Sequence, residues 1–344
     1  MSSSLLPASV QEAARAEPAW LQAARADAFG SFRTLEPPQG RRTDLARLDV
    51  ESLALRAAGR PPRRALAKLP GVLHLPLGEA AREHEDLVRP LLGGPIEGDD
   101  KWARLHAAAW SAGSLLYVEK GVEVGEPIRL DTPHGPEGAV VRDLVALGRQ
   151  AKASLVARST GGGADAFSIE GVDVHLGEGA SLSLATLQDL RHEGTLLSYR
   201  RVRLQRDSRL AWVDGQFGAR TLVAQNEVRL AGQGSGLRFI GAFFGSKDQH
   251  MDMTTSALHA GPHTESRLDM KGALNEDGYS VNSSVVNIGP GAPNSSGHQH
   301  QETLLLSDKA RADAIPKLDV ENNDVSASHG ATVGQVDPEQ LFYL

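Results

Sequence analysis

The sequence contains no cysteine among its 344 residues. This absence excludes disulfide bonds, a cysteine nucleophile, a structural cysteine zinc site and an iron–sulfur cluster held by cysteines of this chain alone. Long apolar runs are also missing, because no stretch approaches the roughly 18 residues that span a bilayer. The start of the chain lacks the basic region and apolar run of a signal peptide. We therefore expect a cytoplasmic protein without a membrane partner.

The composition is that of a globular protein with little excess charge. Hydrophobic residues make up 40% of the chain and charged residues 23%, whereas disordered chains are poorer in apolar residues. Lysine and arginine number 36 against 43 aspartate and glutamate, so the formal net charge is −7. This charge does not favour binding to the phosphate backbone of nucleic acids. The segment Gly241–Lys247 also lacks the Gly-Lys-Ser/Thr sequence of a phosphate-binding loop, so we expect no nucleotide site.

Residues 1–112 show a helical pattern. Apolar residues that recur at spacings of three and four predict helices over 11–32, 77–89 and 102–110. Pro90 is expected to end the second helix, because proline lacks the amide hydrogen that a helix interior uses. The N-terminal part of the chain is therefore predicted to be a helical region.

Between the first two helices lies a predicted linker, residues 37–64, which is rich in proline and arginine. It contains a small basic cluster made of Arg60, Arg63 and Arg64. Charge clusters in such segments are usually solvated, so we interpret this one as a surface feature rather than a ligand site.

After the helical region, short runs of alternating apolar and polar residues are separated by Gly, Asp and Asn. Similar segments begin at Val174, Val202, Val228 and, more loosely, Ser256, at spacings of 28, 26 and 28 residues. A repeat of this length predicts a solenoid in which each unit buries its apolar face on its neighbours. Because the units have a strand pattern, the sequence predicts a β-helix core over 113–330. A two-sheet sandwich is the alternative, but it predicts no constant period.

Histidines and carboxylates alternate in the later strands. His298, His300 and Glu302 would share one face of a strand, with successive side chains about 7 Å apart. Imidazole and carboxylate are common ligands of zinc and iron, so these residues are candidates for a metal site. His250 and Asp252 have the same spacing. The alternative for each group is the exposed polar face of a sheet, and only convergence of groups from different coils would favour metal binding.

The C-terminal part carries the longest motif of the sequence. It contains Glu321-Asn-Asn-Asp-Val-Ser-Ala-Ser-His-Gly330 and ends with Leu341-Phe-Tyr-Leu344. Further matches lie upstream, at Trp110-Ser and at Tyr117-Val-Glu-Lys-Gly121. These segments closely resemble the SufB/SufD family of iron–sulfur cluster assembly proteins, and the resemblance covers most of the chain.

The resemblance implies a mainly β fold with a right-handed parallel β-helix core between an N-terminal and a C-terminal helical region. Residues 331–344 would be the truncated start of the latter, so we expect incomplete contact with the family's ATPase, SufC. Family members act in a complex of SufB, SufD and SufC. The absence of cysteine and the short N-terminal region are more similar to SufD, which implies a non-enzymatic subunit that pairs with SufB.

One residue of the motif is expected to take part in cluster assembly. The family often has Asn-Asp-Asp-Val-Lys-Cys-Ser-His-Gly where this chain has residues 322–330, so Ala327 occupies the cysteine position and His329 is retained. The resemblance implies that His329 supplies a nitrogen ligand or a proton-transfer group beside a cysteine of SufB. A transient cluster would be shared with that partner, since this chain alone holds no cofactor. The alternative is a structural histidine, and the isolated chain could form a homodimer.

A second class of function also suits a β-helix. Carbohydrate lyases and hydrolases of this fold place clustered carboxylates on the outer face of a coil, and Asp248, Asp252 and Asp269 are candidates for such roles. The tail motif and the lack of a secretory signal argue against this hypothesis.

Overall fold

The computed structural model describes residues 7, 10, 11, 14–38, 43, 45, 48–59, 61–92, 100–335, 342 and 343. Its centre is a parallel β-helix, which confirms the fold predicted from the sequence repeat. The N-terminal part contains helices α1 (Ala19–Thr34), α2 (Val50–Ala58), α3 (Leu77–Glu83), α4 (Glu85–Leu92) and α5 (Lys101–Ala109). The strands are β1 (Val72–Pro76), β2 (Ser114–Val118), β3 (Ile128–His134), β4 (Val140–Leu147), β5 (Lys152–Gly161), β6 (Phe167–Leu176), β7 (Ser181–Leu190), β8 (Thr195–Leu204), β9 (Arg209–Gln216), β10 (Thr221–Leu230), β11 (Gly236–Gly245), β12 (His250–His259), β13 (Glu265–Leu274), β14 (Tyr279–Ile288), β15 (Ser295–Leu305), β16 (Arg311–Val320) and β17 (Val325–Gln335).

The strands form two sheets, because each coil of the β-helix contributes one strand to each sheet. Sheet A has the order β1-β2-β4-β6-β8-β10-β12-β14-β16, and sheet B has the order β17-β15-β13-β11-β9-β7-β5-β3. Neighbouring strands run parallel, except that β1 pairs antiparallel with β2. Parallel neighbours need a crossover connection, and here that connection passes through the other sheet.

The strand register fixes the length of each coil. Val174 pairs with Val202 and Val202 with Val228, as the sequence repeat predicts. Val228 pairs with Ala257, so the fourth copy begins one residue later than the predicted Ser256. The predicted start is wrong by one residue because the register places the polar His259, and not the neighbouring Leu258, opposite the inward Leu230.

Inward-facing side chains of the two sheets fill the interior. At one corner, successive coils stack Leu147, Leu176, Leu204 and Leu230, each at most 3% exposed. Burying one such leucine stabilises the fold by about 1.5–3 kcal/mol relative to an exposed side chain. Because the stacking repeats from coil to coil, the core extends along the whole β-helix.

A residue in the left-handed backbone conformation recurs once per coil, in the turn that leads from sheet A to sheet B. These residues have φ angles between 54° and 74° and form what we call the turn ladder: Gly121, Gln150, Gly179, Asp207, Gly234, His263 and Asn294. Each donates its backbone amide to a carbonyl in the corresponding turn of the next coil, at 2.7–3.0 Å. Gln150 donates to Glu178, for example, and Asp207 to Gln233. The turns are therefore bonded to one another along the β-helix, as the strands are.

The helices pack on the outer face of sheet A. α1 contacts α5, and both α2 and α5 lie against β4 and β6. Phe167, Leu197 and Val223 point outward from sheet A and are buried beneath this layer. Arg25 of α1 joins the layer together by donating to the carbonyl oxygen of Ala108 in α5 at 2.7 Å. The helical layer thus covers one side of the β-helix.

Two expectations for the helical region are wrong. Pro90 lies inside α4 rather than beyond a helix end, because the helix continues to bury Leu92. The predicted linker also contains a helix, α2, whose first turn is capped when Asp49 accepts a hydrogen bond from the backbone amide of Ser52 at 3.1 Å. The proline and arginine content of the segment concealed this helix.

The basic cluster of the predicted linker is also not uniformly solvated. Arg63 is exposed, but the side chain of Arg64 is only 9% exposed and forms an ion pair with Asp143 at 2.6 Å. Arg60 lies outside the described residues. A partner so distant in the sequence could not be identified from local charge patterning.

Gly171 of β6 lies beneath α5, where a larger residue has no room. A Cβ atom at Gly171 would lie 2.1 Å from Cε1 of His106, whose Nε2 donates to the carbonyl oxygen of Val141 at 2.8 Å. We expect Gly171→Ala to lower the free energy of unfolding by about 1–3 kcal/mol, measured by urea denaturation. Gly78→Ala is the matched control, because no atom lies within 4 Å of its Cβ position. Equal stability of the two variants would contradict this packing.

The end of the β-helix differs from the predicted boundary. β17 continues to Gln335, so a helical region does not begin at residue 331. Phe342 and Tyr343 are helical and exposed, and residues 336–341 and 344 lie outside the described part of the chain. Residue 330 therefore lies inside a strand rather than between two regions.

Candidate functional site

One end of the β-helix is open at β16 and β17, the last strands of sheet A and sheet B. β16 pairs with β14, and β17 pairs with β15. Among the residues that the structure describes, nothing pairs with the outer edge of either strand. Unpaired strand edges are templates for pairing with another chain. In the described residues β1 and β3 also end their sheets, at the other end of the β-helix, but there the inward side chains of β3, such as Ile128 and Leu130, are buried. The end at β16 and β17 is where unpaired strand edges and an uncovered interior occur together.

His329 lies on β17 and faces the opening of the interior. It pairs in register with Gln299, which is 4% exposed, whereas His329 is exposed because no described coil covers it. Only His329 is titratable among the side chains at the inward positions of the last two strands. These positions are Ala312, Ala314, Pro316, Leu318 and Val320 of β16, and Val325, Ala327, His329, Ala331, Val333 and Gln335 of β17.

The three candidate metal ligands lie on the outer face of sheet B. His300 Nε2 is 2.7 Å from Glu302 Oε1, and Lys271 Nζ is 2.8 Å from the other carboxylate oxygen. Hydrogen bonds from Lys271 and then His300 lower the pKa of Glu302. His298 instead shares a hydrogen bond with Ser328 at 2.7 Å. In the described part of the chain, no three His, Asp or Glu side chains form a group that could hold a metal ion.

The sequence analysis missed a network of buried polar side chains inside the β-helix. Asp214 of β9 accepts hydrogen bonds from Thr186 at 2.6 Å and from Gln216 at 2.8 Å. It also accepts from Arg200 and Asn226, both at 3.2 Å. The side chains of Arg200 and Asp214 are 6% and 2% exposed, respectively. A charged pair satisfied in this way holds several coils in one arrangement.

A second buried polar group contains Glu170 of β6. Its carboxylate oxygen Oε1 lies 2.7 Å from His134 Nε2 and accepts a hydrogen bond from Ser159 at 2.5 Å. Burial alone would raise the pKa of Glu170, but the interactions with His134 and Ser159 and the charge of Arg200 outweigh it and lower the pKa to about 2. Glu170 therefore stays ionised inside the β-helix at neutral pH.

His259 is buried at the end of β12, three coils nearer the open end than Glu170. Its Nδ1 is 2.8 Å from Thr264 Oγ1, and its Nε2 is 2.7 Å from Ser266 Oγ. Burial lowers the pKa of His259 to about 4. The ring is therefore neutral at pH 7, and the two hydroxyl groups satisfy its nitrogens.

The three candidate carboxylates of a sugar-cleaving enzyme lie in different places. Asp252 is on β12 of sheet A, Asp269 is on β13 of sheet B, and Asp248 is in the turn between β11 and β12. Asp252 accepts a hydrogen bond from Thr43 at 2.6 Å, and Asp269 pairs with Arg267 at 2.8 Å. Asp248 pairs with a neighbouring arginine at 2.8 Å. The described residues therefore do not place these carboxylates around one bond, as glycosidic cleavage requires.

The fold and the open end together define the class of protein: a parallel β-helix with a helical layer on one sheet and an uncovered interior at one end. A family model described as SUF system FeS cluster assembly, SufBD core domain, matches residues 129–344. The chain belongs to this family.

Individual relatives agree with the family match. The iron–sulfur cluster assembly protein SufD of Bacillus subtilis (strain 168) is 30% identical over 281 residues, which cover 80% of this chain and 64% of the relative. SufB of the same organism is 27% identical over 279 residues, covering 80% of this chain and 60% of the relative. The chain thus spans about three fifths of the length of these curated relatives. No helix in the described residues is long and apolar enough to cross a membrane.

Proposed function

We propose that this chain is a SufD-like, non-catalytic subunit of iron–sulfur cluster assembly that works in the cytoplasm and pairs with a SufB-like paralogue. The observation that carries the proposal is the position of His329 at an interior opening between two unpaired strand edges. Slightly higher identity to a SufD than to a SufB, together with the absence of cysteine, supports the SufD-like role.

Pairing of two β-helices end to end would bury the open edges of both. The backbone groups of β16 and β17 would then bond to the last strands of the partner, and inward apolar residues such as Val333 would be covered. His329 would lie at the junction and face the partner. Ala327 is on the same side of β17, about 7 Å away, and carries no thiol.

His329 would act on a cluster held mainly by the partner. Since this chain has no cysteine, every thiolate ligand of a nascent cluster must come from another protein. An imidazole at the junction can supply a nitrogen ligand or transfer a proton near neutral pH. The cluster is the cargo of the complex rather than a resident cofactor of this chain.

A third protein would supply the energy for cluster assembly. The sequence contains no phosphate-binding loop, so ATP hydrolysis is assigned to a SufC-like ATPase. Without a SufB-like partner, the same strand edges can pair two copies of this chain as a homodimer. A homodimer would bring together two cysteine-free ends and could not hold a thiolate-bound cluster.

The variant His329→Ala tests the role of the histidine. We expect it to co-purify with the SufB-like and SufC-like partners as well as the wild-type chain does, and to reduce anaerobic cluster reconstitution about tenfold or more. Complex formation is measured by size-exclusion chromatography, and cluster content by visible absorbance and iron analysis. His298→Ala is the control, because it changes a histidine one coil away that faces outward.

The two parts of the proposal fail separately. A normal cluster yield in His329→Ala would show that His329 is a structural residue, even if the complex forms. Failure of the wild-type chain to bind a SufB-like partner would instead remove the proposed pairing. Loss of cluster in the His298→Ala control to the same extent would assign the effect to the outer face.

A further inference from the structure

The outer face of sheet B carries an apolar surface that the helical layer does not cover. Val213 of β9 is 49% exposed, Phe217 directly after β9 is 42% exposed, and Phe244 of β11 is 39% exposed. Ile240 of β11 pairs with Val213 and is half-buried. The equivalent side of sheet A is covered by helices, so the two sheets of the same β-helix differ in what remains accessible. Single exposed apolar residues are ordinary, but a contiguous group marks an interaction surface.

The centre of this surface is filled rather than hollow. Gly215 pairs with Ala242 between the larger residues on either side. Phe217 and Leu187 close over Gly215, where an added Cβ would lie 2.9 Å from Phe217 Cε2 and 3.0 Å from Leu187 Cδ1. The result is a continuous apolar floor over three neighbouring strands. From Val213 to Phe217 this surface spans four residues along the strand direction, or about 13 Å.

These dimensions suit an α-helix that lies along the axis of the β-helix. A helix with its side chains is about 10–12 Å wide, which fits the width of the surface. Neighbouring strands of sheet B are about 4.8 Å apart, and successive turns of an α-helix are about 5.4 Å apart. Because the two spacings are similar, each of three successive helix turns can place one apolar side chain on one of three neighbouring strands. A strand could not bind here by backbone pairing, because the surface is a sheet face rather than an edge.

The charges around the surface indicate the charge that a partner would carry there. Basic residues outnumber acidic ones at the outward positions of sheet B, although the chain as a whole has a net charge of −7. The basic residues are Arg129, Lys152, Arg158, Arg209, Arg238, Arg267 and Lys271, and the acidic residues are Asp131, Asp189, Glu265, Asp269 and Glu302. Arg238 is exposed, lies beside Arg267 in register, and forms no ion pair among the described residues. Four of the other basic residues pair with carboxylates, so Arg238 is the cation beside the apolar surface that is left for an acidic partner: Lys152, Arg158, Arg267 and Lys271 are the paired ones.

We propose that this surface, formed by Leu187, Val213, Gly215, Phe217, Ile240, Ala242 and Phe244, binds an amphipathic helix of a partner protein. The apolar stripe of that helix lies over Leu187, Phe217 and Ala242, and acidic residues along one edge of the stripe pair with Arg238. This inference concerns the side of the β-helix and is independent of the function proposed for its open end.

Synthetic peptides test the proposal. The probe is a fluorescein-labelled helical peptide of about 18 residues with leucine at spacings of three and four and glutamate along one edge of the leucine stripe. A matched peptide has lysine in place of each glutamate. Fluorescence anisotropy is expected to show saturable binding of the glutamate peptide and about tenfold weaker binding of the lysine peptide.

Substitutions in the protein locate the binding surface. Val213→Glu changes an exposed side chain and is expected to weaken binding of the glutamate peptide about tenfold or more. Arg238→Glu is expected to reverse the preference in favour of the lysine peptide. Lys120→Glu makes the same change of charge in the exposed turn after β2, several coils from the surface, and should leave both affinities unchanged. Circular dichroism melting confirms that each variant is folded.

Three results would overturn the proposal. The first is no saturable binding of the glutamate peptide to the wild-type chain, and the second is binding that Val213→Glu leaves unchanged. The third is a wild-type dimer in analytical ultracentrifugation that Val213→Glu converts to a monomer, which would make a second copy the occupant. Retained preference for the glutamate peptide in Arg238→Glu would overturn the assigned orientation of the helix.

Discussion

Replacing Asp214 with alanine is expected to lower the free energy of unfolding by about 3–5 kcal/mol. The substitution leaves the guanidinium group of Arg200 buried at 6% exposure without its paired carboxylate. It also removes the acceptor for Thr186, Gln216 and Asn226. Glu170 lies close enough to interact with Arg200 but cannot replace the lost hydrogen bonds. Urea denaturation at pH 7 measures the change.

The double variant Arg200→Met with Asp214→Leu separates the buried charge from the packing. Replacing both members of a buried ion pair by apolar residues is often neutral or stabilising, so the double variant should recover the part of the lost stability that comes from the unpaired charge of Arg200. The part that comes from Thr186, Gln216 and Asn226 remains lost, because their acceptor is still missing. Trp212 provides a local fluorescence signal, because its indole nitrogen donates to Thr186 at 2.8 Å in the same network. A single Asp214→Ala variant as stable as the wild type would contradict the account.

Acid is expected to destabilise the protein through His259. The pKa of this histidine is about 4 in the folded chain and about 6.5 when unfolded, so the unfolded chain binds more protons between these values. The contribution of neutral His259 to stability is therefore complete above pH 6.5 and is lost as the pH falls towards 4. The difference corresponds to about 3 kcal/mol. Denaturant midpoints measured between pH 7 and pH 4 should fall accordingly.

The neighbouring coils suggest the substitution that tests this contribution. His259 pairs in register with Leu230 on one side and Ile288 on the other, so His259→Leu places an apolar residue in an apolar stack. We expect this variant to lose much of the pH dependence between 6.5 and 4, whereas His298→Leu on the outer face should retain it. An unchanged pH dependence in His259→Leu would refute the assignment.

Two other buried groups act over neighbouring ranges of pH. Burial and the nearby Arg142 lower the pKa of His106 to about 3, so its contribution to stability is also lost below pH 6.5. The pKa of Glu170 is lowered to about 2, so its contribution is present above pH 4.5 and is lost as the pH falls towards 2. The pH dependence that remains in His259→Leu is therefore expected to come from these two groups together with His74, His175 and His250, whose pKa values burial also lowers.

The repeat could be predicted because each coil has the same requirement. Val174, Val202 and Val228 occupy the same inward position in successive coils, and the same alternation of apolar and polar residues recurs at nearly constant spacing. The prediction slipped by one residue where a polar side chain took an inward position, at His259. A pattern based on hydrophobicity assigns the neighbouring Leu258 to the interior, and only the strand register corrects it.

The buried polar network could not be recognised in the same way. Arg200 is followed by Arg201 and then Arg203, a run that is typical of a solvated strand face. The partner of Arg200, Asp214, is on the other sheet, so their contact depends on how the two sheets face each other.

The candidate metal ligands of β15 show the opposite case, because their shared face was predicted and their partners were not. Alternation places His298, His300 and Glu302 on one face, but hydrogen bonds to Ser328 and within the pair His300–Glu302 could not be predicted from spacing.

The turn ladder gives the β-helix a direction. Each of its amides is donated towards the C-terminal side, so every turn is completed only by the coil that follows it in the chain. During synthesis a coil therefore leaves the ribosome with one donor still unmatched, and that donor is satisfied when the next coil folds against it. A coil added at the C-terminal side meets free turn amides, whereas a coil added at the N-terminal side meets free turn carbonyls. The two ends of this solenoid therefore offer different backbone groups to a new coil, donors at one end and acceptors at the other.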